Sequence, residues 1–129
     1  MLDHVGIAVS NLQVSKRFYL AALGPLGYAV VLEFTAEEIG GVGVVGFGVP
    51  PKPDFWINGG GGNVPCVHVA FSAPNRLLVD AFHRAAIAAG GRDNGTPGLR
   101  PHYHPSYYAA FVIDPDGHNI EAVCHSPLR

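Results

Sequence analysis

The chain has 129 residues, 48% of them apolar and 14% charged, with a formal net charge of −2. That is enough apolar material for one compact core, while the positive charge forms no run or stripe able to grip a nucleic acid or an acidic membrane. No segment approaches the roughly 18 apolar residues of a membrane span, and Met1-Leu2-Asp3-His4 lacks a basic region followed by an apolar one, so membrane insertion and export are both disfavoured.

From the N-terminus, residues 2–9 alternate as a strand does, with Val5, Ile7 and Val9 on one side and His4, Gly6 and Ala8 on the other. Ser10 and Gln13 have the form of a capping box, and Asn11 to Leu23 carries Leu12, Ser15, Tyr19, Ala22 and Leu23 on one helical face before Pro25 stops it. Apolar segments at about 28–34, 42–49 and 54–58, punctuated by Gly and Pro, read as three strands. Gly59 to Gly62 is a turn-prone linker without the Lys and Ser/Thr of a phosphate-binding loop. Val64 to Ala73 is then a strand. Asn75 to Ala89 is a helix with Leu78, Phe82, Ala85 and Ala89 in register, ended by Gly90-Gly91. Tyr107 to Ile113 and Asn119 to His125 are strands around the tight turn Asp114-Pro115-Asp116-Gly117.

These elements repeat. A shift of 64 residues lays His4-Val5 over His68-Val69 and matches Asn11/Asn75, Phe18/Phe82, Ala21/Ala85, Ala22/Ala86 and Gly27/Gly91, seven identities in 24 aligned positions. The expected organisation is a single domain, 1–129, of two modules at about 1–62 and 63–129. In each module the first strand sets a histidine among small residues, on the face opposite its bulky apolar side chains. On the last strand Glu121 lies opposite in parity to Ile120, Ala122 and Cys124, so it too can face a cavity. Two imidazoles and one carboxylate are the donor set of an open transition-metal site. Histidines at equivalent positions of a duplicated unit would converge if the modules pack symmetrically.

The order strand, helix, three strands, used twice, resembles the vicinal oxygen chelate superfamily, which includes glyoxalases, bleomycin-resistance proteins and extradiol dioxygenases. The resemblance covers essentially the whole chain and is most specific at Asp3-His4-Val5-Gly6, Phe18-Tyr19, His68-Val69-Ala70-Phe71 and the run from Phe111 through Asp114-Pro115-Asp116-Gly117-His118 to Glu121. It implies an α+β fold of two βαβββ modules whose curved sheets enclose a cavity holding one divalent metal ion (Fe, Mn, Zn or Ni), with His4, His68 and Glu121 as ligands. It also implies a small-molecule substrate that chelates the metal through adjacent oxygens, and a homodimer. In some members modules are exchanged between subunits, so the cavity can lie within one chain or across two. The glyoxalase I pattern has a fourth, acidic ligand; here the 64-residue shift sets Ile57 opposite Glu121, and a one-residue slip gives Trp56 or Asn58. Asp54 would need a slip of three. Three protein ligands are therefore expected.

The segment Arg100-Pro101-His102-Tyr103-His104-Pro105-Ser106-Tyr107-Tyr108 combines a guanidinium, two imidazoles and three phenols, groups able to orient an anionic or aromatic substrate and move protons. His102, His104 and Tyr107 are the acid or base candidates, and Arg100, Tyr103 and Trp56 the substrate-binding ones. Packing of a proline-bounded loop is the plainer account of the segment, as is ordinary packing for Trp56. Cys66 and Cys124 read as two reduced thiols of a cytoplasmic protein, and His83 and His118 as solvated. The leading functional expectation is a ring-cleaving dioxygenase or a glyoxalase-like lyase. A metal-free drug-sequestering protein of the bleomycin-resistance type and a fosfomycin-resistance thiol transferase are the alternatives; retention of three ligand positions disfavours the first, and the absence of a clear thiol or phosphonate site beyond Arg100 the second.

Overall fold

A computed structural model describes residues 1–128. Its strands are β1 (Val5–Ala8), β2 (Ala29–Phe34), β3 (Val44–Gly48), β4 (Phe55–Asn58), β5 (His68–Ser72), β6 (Arg92–Leu99), β7 (Tyr108–Ile113) and β8 (Asn119–Cys124), with helices α1 (Leu12–Leu23), α2 (Ala36–Ile39) and α3 (Arg76–Ala88). They build an α+β molecule of two four-stranded mixed sheets, ordered β1-β4-β3-β2 and β5-β8-β7-β6. In each sheet the first strand lies at an edge and runs parallel to the last, while the other pairings are antiparallel.

The alternating strands place their branched residues where expected. Ile7, Val9 and Phe71 are buried, and Ile57, Ile120, Ala122 and Cys124 are fully covered beside them. Helix α1 turns Phe18, Tyr19, Ala22 and Leu23 onto that surface and α3 turns Val79, Phe82 and Ala86 onto it. The buried face of α3 is thus rotated from the Leu78, Phe82, Ala85, Ala89 stripe, with Leu78 and Ala89 packed at its margin. The cause is nonlocal: α3 has to meet α1 and β7 together. Buried side chains of both modules form one cluster, and Phe55 meets Phe71 edge to face across the module boundary at 5.1 Å.

Three local readings change. The cap of α1 is Asn11, whose side chain accepts from Val14 N at 3.1 Å, in place of a Ser10–Gln13 box; the Ser10 amide instead donates to Asp116 Oδ1 at 3.0 Å. A capping box does form at α2, between Thr35 and Glu38. Strand β6, rich in Gly, Asp and Asn, has no strand signature; its pairing with β7 is broken twice by register shifts and it holds as an edge strand through that partner.

The Asp114 turn does more than close a hairpin. Asp114 Oδ1 accepts from the amides of Asp116 and His118, and Tyr19 Oη donates to its Oδ2 at 2.5 Å. His118, expected to be solvated, is fully buried, because the hairpin folds back onto the seam between the modules. Its Nδ1 accepts from Val67 N at 3.1 Å, which leaves the Nε2 proton for Ala8 O at 3.4 Å. One imidazole therefore ties the edge of β1 to the approach to β5. His83, also expected to be solvated, is paired with Asp93 at 2.9 Å.

Candidate functional site

The face of β5 and β8 turned away from the core carries the densest polar constellation. His68 Nε2 lies 2.8 Å from Glu121 Oε1, and Tyr107 Oη donates to Glu121 Oε2. Glu121 is 1% exposed, and a carboxylate so buried is costly unless both oxygens are paired, as they are here. Phe111, directly across from Glu121 on β7, brings its ring to within 6.2 Å of the His68 ring. Burial first, and the hydrogen bond and negative charge of Glu121 next, push the Tyr107 phenol up to about 12. Tyr107 is therefore a committed donor near neutral pH.

The aromatic segment before β7 gathers around that tyrosine. Tyr103 and His104 pack on the Tyr107 ring at 4.8 and 5.4 Å, and His102 packs at a tilt on Tyr103 one ring further out. His104 Nδ1 accepts from Ser106 N at 3.1 Å, so its Nε2 carries the proton toward His125 Nδ1, 2.8 Å away. His125 had no sequence signal beyond its parity with Glu121, and the place of Phe111 across from Glu121 was not drawn from the sequence. Arg100 is spent locally: its two terminal nitrogens donate to Gly98 O and Thr96 O, and its guanidinium lies over Phe111.

His4 stands beside the other sheet, just before β1. Its Nδ1 pairs with Asp3 Oδ1 at 2.7 Å, and hydrogen bonds from His4 first and Lys52 second hold the Asp3 carboxyl below its ordinary range. With Trp56 it lines a hollow of about 350 Å³ on the open face of β1 and β4. It also borders a hollow of about 270 Å³ between β1 and β5, beside Asp54. Tyr28 Oη donates to Asp54 Oδ2 at 3.0 Å, while buried Asp54 Oδ1 has no partner among the described residues.

Strand register decides what occupies the position equivalent to Glu121. Glu121 pairs with Ala70, whose counterpart is Gly6, and Gly6 pairs with Trp56. The repeat offset is thus 65 at the last strand, and Ile57, aligned with Glu121 by the constant shift, is a buried core residue. The first module contributes no carboxylate at that position, in keeping with a three-ligand set. His68 and Glu121 present two adjacent donors of the kind a divalent ion takes. Among the described residues, no three His, Cys, Asp or Glu side chains are close enough to hold one ion, since His4 belongs to the other sheet.

The sequence matches the family described as the Glyoxalase/Bleomycin resistance protein/Dioxygenase superfamily over residues 1–122. Among solved structures, a glyoxalase/bleomycin resistance protein from Albidiferax ferrireducens T118 is 31% identical with a TM-score of 0.76, over 96% of this chain and 98% of that one. Glyoxalase I from Zea mays aligns at 19% identity and a TM-score of 0.71, over 95% of this chain and 45% of that one. A lactoylglutathione lyase from Agrobacterium tumefaciens aligns at 16% identity and 0.69, over 96% and 92%. At those lower identities the likeness is one of fold. A search of curated proteins finds no match. A match spanning nearly the whole chain, on two βαβββ modules with a histidine at or just before the first strand of each, makes this protein a member of the Glyoxalase/Bleomycin resistance protein/Dioxygenase superfamily.

Proposed function

We propose that this chain is a divalent-metal-dependent enzyme acting on a small oxygenated molecule, with His68 and Glu121 of one copy and His4 of a second copy as the metal's protein ligands. The observation that carries the reading is the 2.8 Å contact of His68 Nε2 with buried Glu121 Oε1 on the open face of the second sheet. His4 is exposed one residue before the equivalent strand of the first sheet, so a homodimer that faces the first module of one copy to the second module of the other supplies the missing imidazole. A bound Fe, Mn, Zn or Ni ion would polarise adjacent substrate oxygens as a Lewis acid, and ring-cleaving dioxygenase and glyoxalase-like lyase are the reaction types that fit.

The chain's own groups divide the remaining work. Tyr107 holds Glu121 in place through Oε2, leaving Oε1 with His68. His104, against the Tyr107 ring, is the better placed of the two loop imidazoles to move a proton; His102 lies further out. Tyr103 offers ring surface at the rim, whereas the Arg100 donors already serve backbone carbonyls. The unpaired thiols of Cys66 and Cys124 favour a reducing compartment such as the cytoplasm, and no described helix is long and apolar enough to cross a membrane.

The test is the metal content of freshly purified protein beside Glu121→Ala and His4→Ala. Close to one ion per chain, lost in both variants, is expected. No metal in the wild type, even after anaerobic incubation with each ion, would overturn the reading and leave a sequestering protein of the bleomycin-resistance type.

A further inference from the structure

Trp56 occupies in the first module the position that Glu121 occupies in the second, and its surroundings are inverted to match. Glu121 is flanked by Ala70 and Phe111; Trp56 is flanked by Gly6 and Gly46, so no side chain stands on either neighbouring strand at that level. A Cβ on Gly46 would lie 2.8 Å from the indole Cη2 and Cζ3 atoms, so the six-membered ring covers Gly46 and fills the space that a side chain would take there. The same indole lines the hollow of about 350 Å³. Phe34, Ile39 and Val44 line it with apolar surface, and His4 and Asn58 are its polar lining residues. Asn58 is occupied, donating to Ile7 O and accepting from Gly60 N. A closed apolar cavity of about 150 Å³ admits benzene, so the hollow has room for one planar ring.

We propose that Trp56, seated over Gly46, is a stacking platform for an aromatic group of the substrate, whose adjacent oxygens lie toward His4. The inference rests on the metal-site reading for where those oxygens go, and it names the substrate class: an oxygenated molecule bearing a planar aromatic ring. The division of labour follows from the two modules, one offering a carboxylate and the other a ring at the same place in the fold.

Trp56 is the only tryptophan in the chain, so its emission reports on this site alone. The probes are mandelate, hexahydromandelate and lactate, which share a hydroxyl beside a carboxylate and differ in carrying an aromatic ring, a saturated ring or none. Quenching of Trp56 by mandelate is expected, with affinity about 3- to 10-fold above that of hexahydromandelate and lactate weaker still. By calorimetry the aromatic preference should vanish in Trp56→Leu and partly return in Trp56→Phe. Gly46→Ala, which pushes the indole off the strand, should reduce it while the far-ultraviolet circular dichroism stays unchanged. Equal affinities for the two ring acids in wild type, a preference that survives Trp56→Leu, or no binding of any of the three acids would overturn the proposal. Glu121→Ala separates it from the metal reading. If all three acids weaken and the ratio persists, both readings stand. If affinities are untouched and the ratio persists, the platform stands and the metal reading falls.

Discussion

At Tyr107 a single phenol couples the loop before β7 to the candidate metal ligand Glu121. Tyr107→Phe keeps the ring packing and removes only the donor, so it is expected to weaken metal affinity by about 10- to 100-fold, measured by competition with a chromophoric chelator. Unchanged affinity would reduce Tyr107 to a packing role. Tyr19 makes the corresponding contact inside the core, where burial first and the Asp114 carboxylate second raise its phenol well above the ordinary value of 10. The folded state therefore holds that proton more tightly than the unfolded chain. The stabilisation is complete below about pH 10 and falls as pH rises above it. Tyr19→Phe should cost about 2 kcal/mol near neutral pH, as loss of a hydrogen bond to a charged group does. The gap between wild type and variant should narrow in urea titrations above about pH 10; a gap that widens there would contradict the assignment. Residues at this scale were unevenly legible. His68 and Glu121 could be paired from parity and repetition, whereas His118 looked solvated, because nothing local says that its turn folds into the seam between modules.

The element that best shows this nonlocal control is the N-terminus of α1. Asp116, 106 residues beyond Ser10, accepts from the Ser10 amide at 3.0 Å and from Ser15 Oγ at 3.4 Å, so a turn of the second module ties down the entry to a helix of the first that Asn11 caps. Asp116→Ala is expected to lower stability by about 1 kcal/mol, the usual net value of a hydrogen bond, and to speed hydrogen exchange at the Ser10 amide. Unaltered exchange there would mean that water replaces the carboxylate at no cost. The Ser10–Gln13 box failed for the same reason, since a better acceptor arrived from elsewhere in the chain. Strand β6 is the converse case: its composition speaks against a strand, and pairing with β7 imposes one. The long amphipathic helices and the branched first strands were legible because their burial repeats at the element's own period.

For the whole molecule the decisive question is where His4 meets the His68–Glu121 pair. If the site spans two copies, mixing His4→Ala with Glu121→Ala and allowing subunit exchange creates heterodimers with one doubly damaged site and one intact site. Metal binding should then return to about a quarter of the wild-type level in an equal mixture. No recovery after verified exchange would place all three ligands within one chain. The chain itself determined the duplicated βαβββ plan, the polar and apolar faces of each first strand, and the candidate ligands, because these depend on periodicities of two and 3.6 residues and on a repeat visible by inspection. Only the tertiary structure decided that Trp56, in place of Ile57, is the counterpart of Glu121, that His118 and Asp116 fasten one module to the other, and that His68 reaches Glu121 while His4 faces a separate hollow. Those facts depend on strand register and on how two sheets are set against each other. A one-residue change in register exchanges the faces of a strand.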